Sequence, residues 1–497
     1  MNESQLTMAK NFAASGKYHT MPVTEEMLSD LYTPVGILRT LQNVSRHCFI
    51  LESAEDEKAW GRYSFLGFEP RLGFSCKDGI CRIREILPSG EERVSIENSC
   101  PEKLIREMTE KYQAPVIKDL PPFTGGFVGY FSYDYIRYSE PDLALDGFDD
   151  THFNDVDLML FDQIIAVDHL KQRLVLTVCM SLDGDIDKDY EEAKSRLERL
   201  KGIVRSRREK NPDTLKLLSR PRPLFAREEY CRMVREAKRY IYEGDIFQVV
   251  LANRISAEKK GSILDVYRIL RSTNPSPYMF YLSGDDIELA GASPETLVKL
   301  NEGVLHTFPL AGTRKRGKTR EEDDKLMQEL LSDEKELAEH NMLVDLGRND
   351  LGKISRIGTV KLEKYQNIER FSHVMHLGSS VRGEIDEGKD FMDAINAVLP
   401  AGTLSGAPKF RACEVIDELE DHRRGIYGGA IGYIDFSGNL DTCIAIRLAY
   451  AKKDELYVCS GAGIVADSIP EHEYQECLNK AMAVTDAVEA AGRGMCV

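Results

Sequence analysis

Two stretches of helical text carry acidic pairs spaced three apart. In the first, Leu326, Leu330, Leu337 and Val344 form an apolar stripe, and at about 100° per residue Glu336 and Glu339 project well away from it. The second opens at Pro470, a favoured first helical residue. Its stripe is Tyr474, Leu478, Ala481 and Val488, with Glu473, Glu476 and Lys480 nearly opposite. Two readings fit this spacing. Both faces are simply solvated, the ordinary fate of glutamate pairs, or one carboxylate from each helix holds Mg²⁺, because hard cations take oxygen ligands and accept substrate carboxylates as partners. Spacing alone does not choose between them.

Glycine-bearing loops are expected at PLAGTRKRG (309–317), AGTLSGAP (401–408) and CSGAGIVAD (459–467). Backbone N–H groups in such turns hold a carboxylate or phosphate without a side chain, although a structural turn is the default for any one of them. The third reads GxGxxA from Gly461 to Ala466, but Pro470 follows too soon for a helix to run on and no βαβ unit follows, so a dinucleotide site is rejected. No P-loop and no GxSxG or GxCxG elbow occurs. His373 and His376 lie in FSHVMHLGSSV; a lone histidine is usually structural, but His376 sits in strand-like apolar text where its ring needs a partner. Glu295, in GASPE, is a carboxylate in apolar surroundings, a general acid if burial raises its pKa. Arg447, in the strand-like CIAIRLAY, demands an anion if buried.

The elements that must position these groups can be read in outline. Residues 1–20 are polar and expected to be flexible; 21–205 form an N-terminal domain, 206–225 a proline-containing charged linker, and 226–497 a second domain. Arg227–Glu243 has a helical stripe closed by Gly244 at a C-cap position. Strand-like runs follow at 247–252, 278–282, 304–309, 429–434, 442–450 and 456–460. Many short strands joined by glycine-containing turns favour an α+β, mainly antiparallel architecture.

The 497 residues are enough for two or three domains, and 42% hydrophobic content excludes a largely disordered chain. A net charge of −17 disfavours nucleic acid and anionic membranes. No apolar run approaches the ~20 residues of a membrane span, and the N-terminus lacks an apolar signal core. Eleven cysteines without a CxxC pair read as reduced, mostly buried thiols. A cytoplasmic location is expected.

Taken together, GDIFQVV (244–250), NPSPYMFYL (274–282), GASPE (291–295), PLAGTR (309–314), AEHNMLVDLGRNDLG (338–352), SHVMHLGSSVRGE (372–384), AGTLSGAPK (401–409), YGGAIGY (427–433), DTCIAIR (441–447), SGAGIV (460–465) and EYQECLNKA (473–481) resemble the chorismate-utilising enzymes, within them most closely the anthranilate synthase large-component branch. FILESAEDEKAWGRYSFLG (49–67) resembles that branch's regulatory segment. The resemblance implies large antiparallel sheets packed as a sandwich-like core with helices outside, in two intertwined domains.

It also implies roles. Glu339 and Glu476 would bind Mg²⁺, with Glu336 and Glu473 beside them. Gly312, Thr313, Thr403, Tyr427, Arg447, Gly461, Ala462, Gly463 and Lys480 would hold the carboxylates and enolpyruvyl group of chorismate. Glu295 would help the C4 hydroxyl leave and His376 would assist elimination. Glu52, Ser53, Pro277, Tyr278 and Met279, with Tyr433 nearby, would form a tryptophan inhibitor site. Two positions separate the branches. Water-using relatives resemble this chain with a Lys base where Gln248 stands, and an amide cannot deprotonate water, so Gln248 speaks for ammonia. Aminodeoxychorismate synthases typically carry a Lys at the third position of PIKGT, here Ala311. Ammonia is expected from a separate glutamine amidotransferase subunit in a hetero-oligomer. The alternatives are a 4-amino-4-deoxychorismate synthase component, or a non-catalytic amidotransferase partner.

Overall fold

The computed structural model describes residues 2–53, 61–86, 91–211, 213–370 and 374–494. Its α+β architecture rests on two large sheets in which every ladder between strands is antiparallel. In the first, Thr20–Leu28, Arg173–Ser181, Gln163–Asp168, Tyr63–Phe68 and Cys48–Glu52 continue directly into Tyr278–Ser283, Ile287–Ser293, Leu448–Lys452, Glu455–Ile464 and Gln248–Lys260. The second runs from Leu310–Lys315 and Val374–Glu384 through Leu440–Ile444 and Ala430–Asp435 to Gly126–Phe131 and Leu72–Lys77. Strands from before residue 205 and after residue 226 therefore share both sheets, which makes the halves intertwined. Apolar faces of the two sheets, including Phe49, Phe127, Phe161, Phe280 and Ile431, bury one another. Helices Ile186–Ser206, Leu264–Thr273 and Pro470–Gly492 cover the outer face of the first sheet with Leu197, Tyr267 and Val484.

Several sequence expectations need correction. Residues 2–15, expected to be loose, form a helix whose Ala9 is buried, and the Gln5 side chain hydrogen-bonds both backbone groups of Thr24. The stripe from Leu326 to Val344 belongs to two helices, Arg320–Ser332 and Glu334–Gly352. Asp333 breaks it, leaving the helical region to cap the second helix through the Lys335 and Glu336 N–H groups. The run 442–450 is two strands, parted by a left-handed Arg447 (φ 51°). Two of the three expected glycine loops are chiefly strand, Leu310–Lys315 and Glu455–Ile464, while Gly402–Leu404 is a 3₁₀ turn. Inside 206–225, Lys216–Leu217 and Arg222–Pro223 pair with Gln248–Lys260.

The helix Arg227–Glu243 ends as read, on Gly244 at φ 87°. Ten free cysteines are described, all buried except Cys100, and Cys496 lies outside the described residues. Among the described residues no helix is long and apolar enough to cross a membrane.

Candidate active site

Glu295 lies between the strands Ile287–Ser293 and Thr296–Asn301, anchored by its carbonyl, which accepts from Ile444 N–H at 3.0 Å. Part of its surface stays open, yet the surrounding protein strips water from its carboxyl. Burial pushes the pKa up to about 8 against the opposing Thr403 hydrogen bond and Arg447 charge. Thr403 Oγ1 donates to Glu295 Oε1 at 3.3 Å from the 3₁₀ turn. Arg447 is half-buried, and burial lowers its pKa. Among the described residues its guanidinium has no hydrogen bond or ion pair; its only resolved attraction is to Glu295.

His376 is buried in the strand Val374–Glu384. Its Nδ1 lies 3.0 Å from the Gly312 carbonyl. A carbonyl only accepts, so Nδ1 carries the hydrogen and the neutral ring keeps its lone pair on Nε2. Burial, aided by Arg447, lowers the His376 pKa against the opposing Gly312 bond, which keeps the ring neutral. Gly312 adopts φ 62° where the ladder register shifts between Ala311 and Thr313. A Cβ there would meet Leu330 at 2.8 Å and Glu336 Oε2 at 3.1 Å. Thr313 shares this strand, but its side chain, like all of His373, lies outside the described residues.

The other wall is built from adjoining strands. Gln248 opens its strand opposite Ala407, and Val250 pairs with Gly463. Gln248 is buried, and its Oε1 has no hydrogen-bond partner among the described residues. A Cβ at Gly463 would sit 2.7 Å from the Gln248 Nε2; one at Gly461 would sit 2.7 Å from Leu251 O and 3.1 Å from the buried Tyr427 hydroxyl. Ala462, between them, is buried. The two glycines keep this floor open.

Glu336 and Glu339 lie on Glu334–Gly352, and Glu473 and Glu476 on Pro470–Gly492. Burial, then the charge of Glu336 and more weakly Glu476, raises the Glu339 pKa against Lys480 and Lys335. Burial likewise raises that of Glu473, against a hydrogen bond to Ser468. The two acidic faces thus share one field. Among the described residues no three carboxylate, imidazole or thiol groups form a ready cage. The donor set nonetheless fits Mg²⁺, which is commonly held by one or two carboxylates with waters and substrate oxygens. Lys480 is half-exposed and pairs with Glu476 at 2.8 Å. Sequence reasoning missed Arg314, which donates to Glu336 at 3.1 Å, and Lys335, whose charge offsets both Glu339 and Glu473. Both stand beside recognised residues, but only tertiary proximity marks them.

The expected inhibitor residues gather around the ladder of Cys48–Glu52 with Tyr278–Ser283. Glu52 pairs with Met279 across the Cys48–Glu52 and Tyr278–Ser283 ladder. Its buried carboxylate accepts from Arg271 (2.8 and 3.2 Å), Tyr267 and Ser64 (2.9 Å). Ser53 is half-buried and Pro277 is buried. Tyr278 donates to Asp441 at 2.8 Å and shares a 3.0 Å hydrogen bond with Thr296. Tyr433 packs against Phe123 with the rings tilted by 30° and their centres 4.3 Å apart. Residues 54–60 of the segment lie outside the described ones.

Residues 47–486 match the family described as chorismate binding enzyme. Anthranilate synthase component 1 of Acetivibrio thermocellus is 46% identical over 486 residues, covering 96% of both chains. The corresponding protein of Aquifex aeolicus (strain VF5) is 42% identical, again covering 96% of both. The crystal structure of anthranilate synthase component I from Streptococcus pneumoniae TIGR4 superposes with a TM-score of 0.76 at 35% identity, covering 93% of this chain and 99% of that one. Family match and near-full-length similarity agree: the chain belongs to the chorismate-binding enzymes.

Proposed function

We propose that this chain is the large component of an anthranilate synthase, converting chorismate and ammonia to anthranilate and pyruvate. The observation that carries this reading is the Arg447 guanidinium, unpaired among the described residues, beside a carboxyl held protonated up to about 8. An anionic substrate supplies the missing counter-charge, and Glu295 supplies a proton at neutral pH.

The residues suit each bond change. Arg447, with the open floor at Gly461 and Gly463, holds the carboxylates. Gln248 Oε1 accepts a hydrogen bond from ammonia and aims its lone pair at ring C2. As the C2–N bond forms, the ring double bonds shift and the C4–O bond breaks. Glu295 protonates the departing hydroxyl as water, and a proton from the added nitrogen restores the acid. Neutral His376 then suits removal of the C2 proton as the enolpyruvyl C–O bond breaks, releasing pyruvate and an aromatic ring. Mg²⁺ held by Glu339 and Glu476 would supply Lewis acidity and a template at the ring carboxylate. Ala311 offers no amine to attack the ring, which disfavours an aminodeoxychorismate synthase.

The same reading includes a glutamine amidotransferase partner, a cytoplasmic setting and feedback by tryptophan at Glu52, Ser53 and Pro277–Met279. The residue division 21–205 and 226–497 belongs to it as a regulatory and a catalytic part. The deciding experiment incubates purified protein with chorismate, ammonium salt and Mg²⁺ and follows anthranilate fluorescence. A non-aromatic amine, or no product, would overturn the reading.

A further inference from the structure

The strands Leu72–Lys77 and Ile80–Ile86 form a hairpin that turns on Asp78 and Gly79, at φ 50° and 79°. Two left-handed residues make a two-residue turn closed by Lys77 and Ile80 as a hydrogen-bonded pair. The next pair, Cys76 opposite Cys81, is then a non-hydrogen-bonded one, with Cα atoms about 4.5 Å apart. That falls inside the span of roughly 4.4–6.8 Å that a disulfide bridges. Both cysteines are fully buried in the core between the sheets. Their sulfurs already touch, with Cys81 Sγ 3.2 Å from Cys76 Sγ. Burial raises the pKa of both thiols, so they stay protonated and react slowly with solutes. A third cysteine supplies the access they lack. Cys100 is exposed at the N-cap of the helix Pro101–Glu110, where its side chain makes no capping hydrogen bond. Cys81 Sγ lies 3.4 Å from the carbonyl of Ser99, the residue before Cys100. Charge on Cys100 reaches Cys81, and together with Cys76 it reaches the buried Tyr135 hydroxyl. The three sulfurs occupy one neighbourhood.

We propose that Cys76, Cys81 and Cys100 form a thiol–disulfide exchange site, which takes a small disulfide of the glutathione class and holds its oxidising equivalents as a Cys76–Cys81 bridge. The Cys100 thiolate attacks one sulfur of the small disulfide, forming a mixed disulfide and releasing one small thiol. Cys81 then attacks Cys100 Sγ. The bond from Cys100 to the small thiol breaks, and the Cys81 proton leaves with that second thiol. Cys76, already in contact with Cys81, attacks it in turn. Its proton passes to Cys100, which returns as a free thiol. One small disulfide is thereby reduced to two thiols, while two protein thiols are oxidised to one disulfide. Disulfides that form in reducing compartments are usually transient ones of this kind.

The test incubates the reduced full-length protein with oxidised glutathione, quenches in acid, alkylates the remaining thiols in denaturant and maps the peptides by mass spectrometry. The expected result is a Cys76–Cys81 bridge with Cys100 free. The buried Cys179 and Cys443 should stay reduced, which shows that the fold remained closed during the reaction. Cys100→Ser, a change at an exposed position, should slow the bridge about tenfold or more, because only the buried thiols are then left to meet the oxidant. Cys76→Ser should stop the sequence at a Cys81–Cys100 disulfide. Cys76 and Cys81 both recovered alkylated from the wild type would overturn the proposal. So would a bridge that forms as fast in Cys100→Ser, or one that appears only together with oxidation of Cys179 and Cys443. If Cys76→Ser does not fold, the wild type and Cys100→Ser decide.

Discussion

Glu295 and Arg447 act on each other's charge without pairing: the guanidinium draws the Glu295 pKa down, burial drives it up, and burial wins, leaving the carboxyl near 8. The sign of the pH dependence follows. Glu295 must be protonated to act as an acid, and His376, its pKa lowered by burial from 6.5, must be neutral to act as a base. The kcat/KM profile is therefore expected to fall above about 8 and below a point lying under 6.5. Glu295→Gln should remove the alkaline limb along with most of the activity. A residual rate keeping the wild-type alkaline limb would assign that limb to another group.

Glu339→Gln and Glu476→Gln are each expected to abolish Mg²⁺-dependent turnover while leaving the fold intact. Neither carboxylate belongs to an apolar core, and burial first and the neighbouring glutamate charges second raise the Glu339 pKa, so neutralising it removes a disfavoured charge. Circular dichroism checks the fold and an Mg²⁺ titration of the rate checks the site. Normal Mg²⁺ dependence in both variants would sink the assignment.

For Gln248, replacement by Ala should slow anthranilate formation from ammonia, because the orphaned oxygen that orients the nucleophile is gone. Gln248→Lys places a base there and is expected to let some isochorismate appear, seen by chromatography of the products. Wild-type rates in both variants would make Gln248 structural.

Inhibition by tryptophan is expected to shift on Ser53→Phe. Filling the space beside Glu52 should raise the inhibitory tryptophan concentration with little change in kcat, since losing one buried hydrogen bond typically costs ~1–3 kcal/mol. The bond between Tyr278 and Thr296, next to Glu295, offers a physical route from that segment to the acid. An unchanged inhibition curve would remove Ser53 from the site.

Behind the pocket, Arg424 and Glu420 form a fully buried ion pair. Arg424 also donates to Leu404 O (2.6 Å) and Val250 O (2.7 Å), tying the turn that bears Thr403 to the strand that bears Gln248. Arg424→Met leaves Glu420 buried without its cation and should lower stability by about 3–5 kcal/mol. Urea denaturation measures this; a loss below about 1 kcal/mol would mean the pair is readily replaced.

What the sequence determined by itself was local and chemical. Residue spacing marked the helix Arg227–Glu243 and its Gly244 cap, because helical periodicity and left-handed glycine are short-range properties. Residue type marked Glu295, His376 and Arg447, because a polar group in apolar text must be satisfied or used, and three-residue spacing on polar helix faces marked the four glutamates. Tertiary structure alone decided what short-range patterns do not carry. Arg447 sits at a left-handed break, not within a continuous strand, because the chain there leaves one sheet for the other. Gly461 and Gly463 lie in a strand because their missing side chains make room for Tyr427 and Gln248, neighbours far away in sequence. Whether Glu295 keeps its proton depends on burial against the Arg447 charge, a balance set by packing in three dimensions.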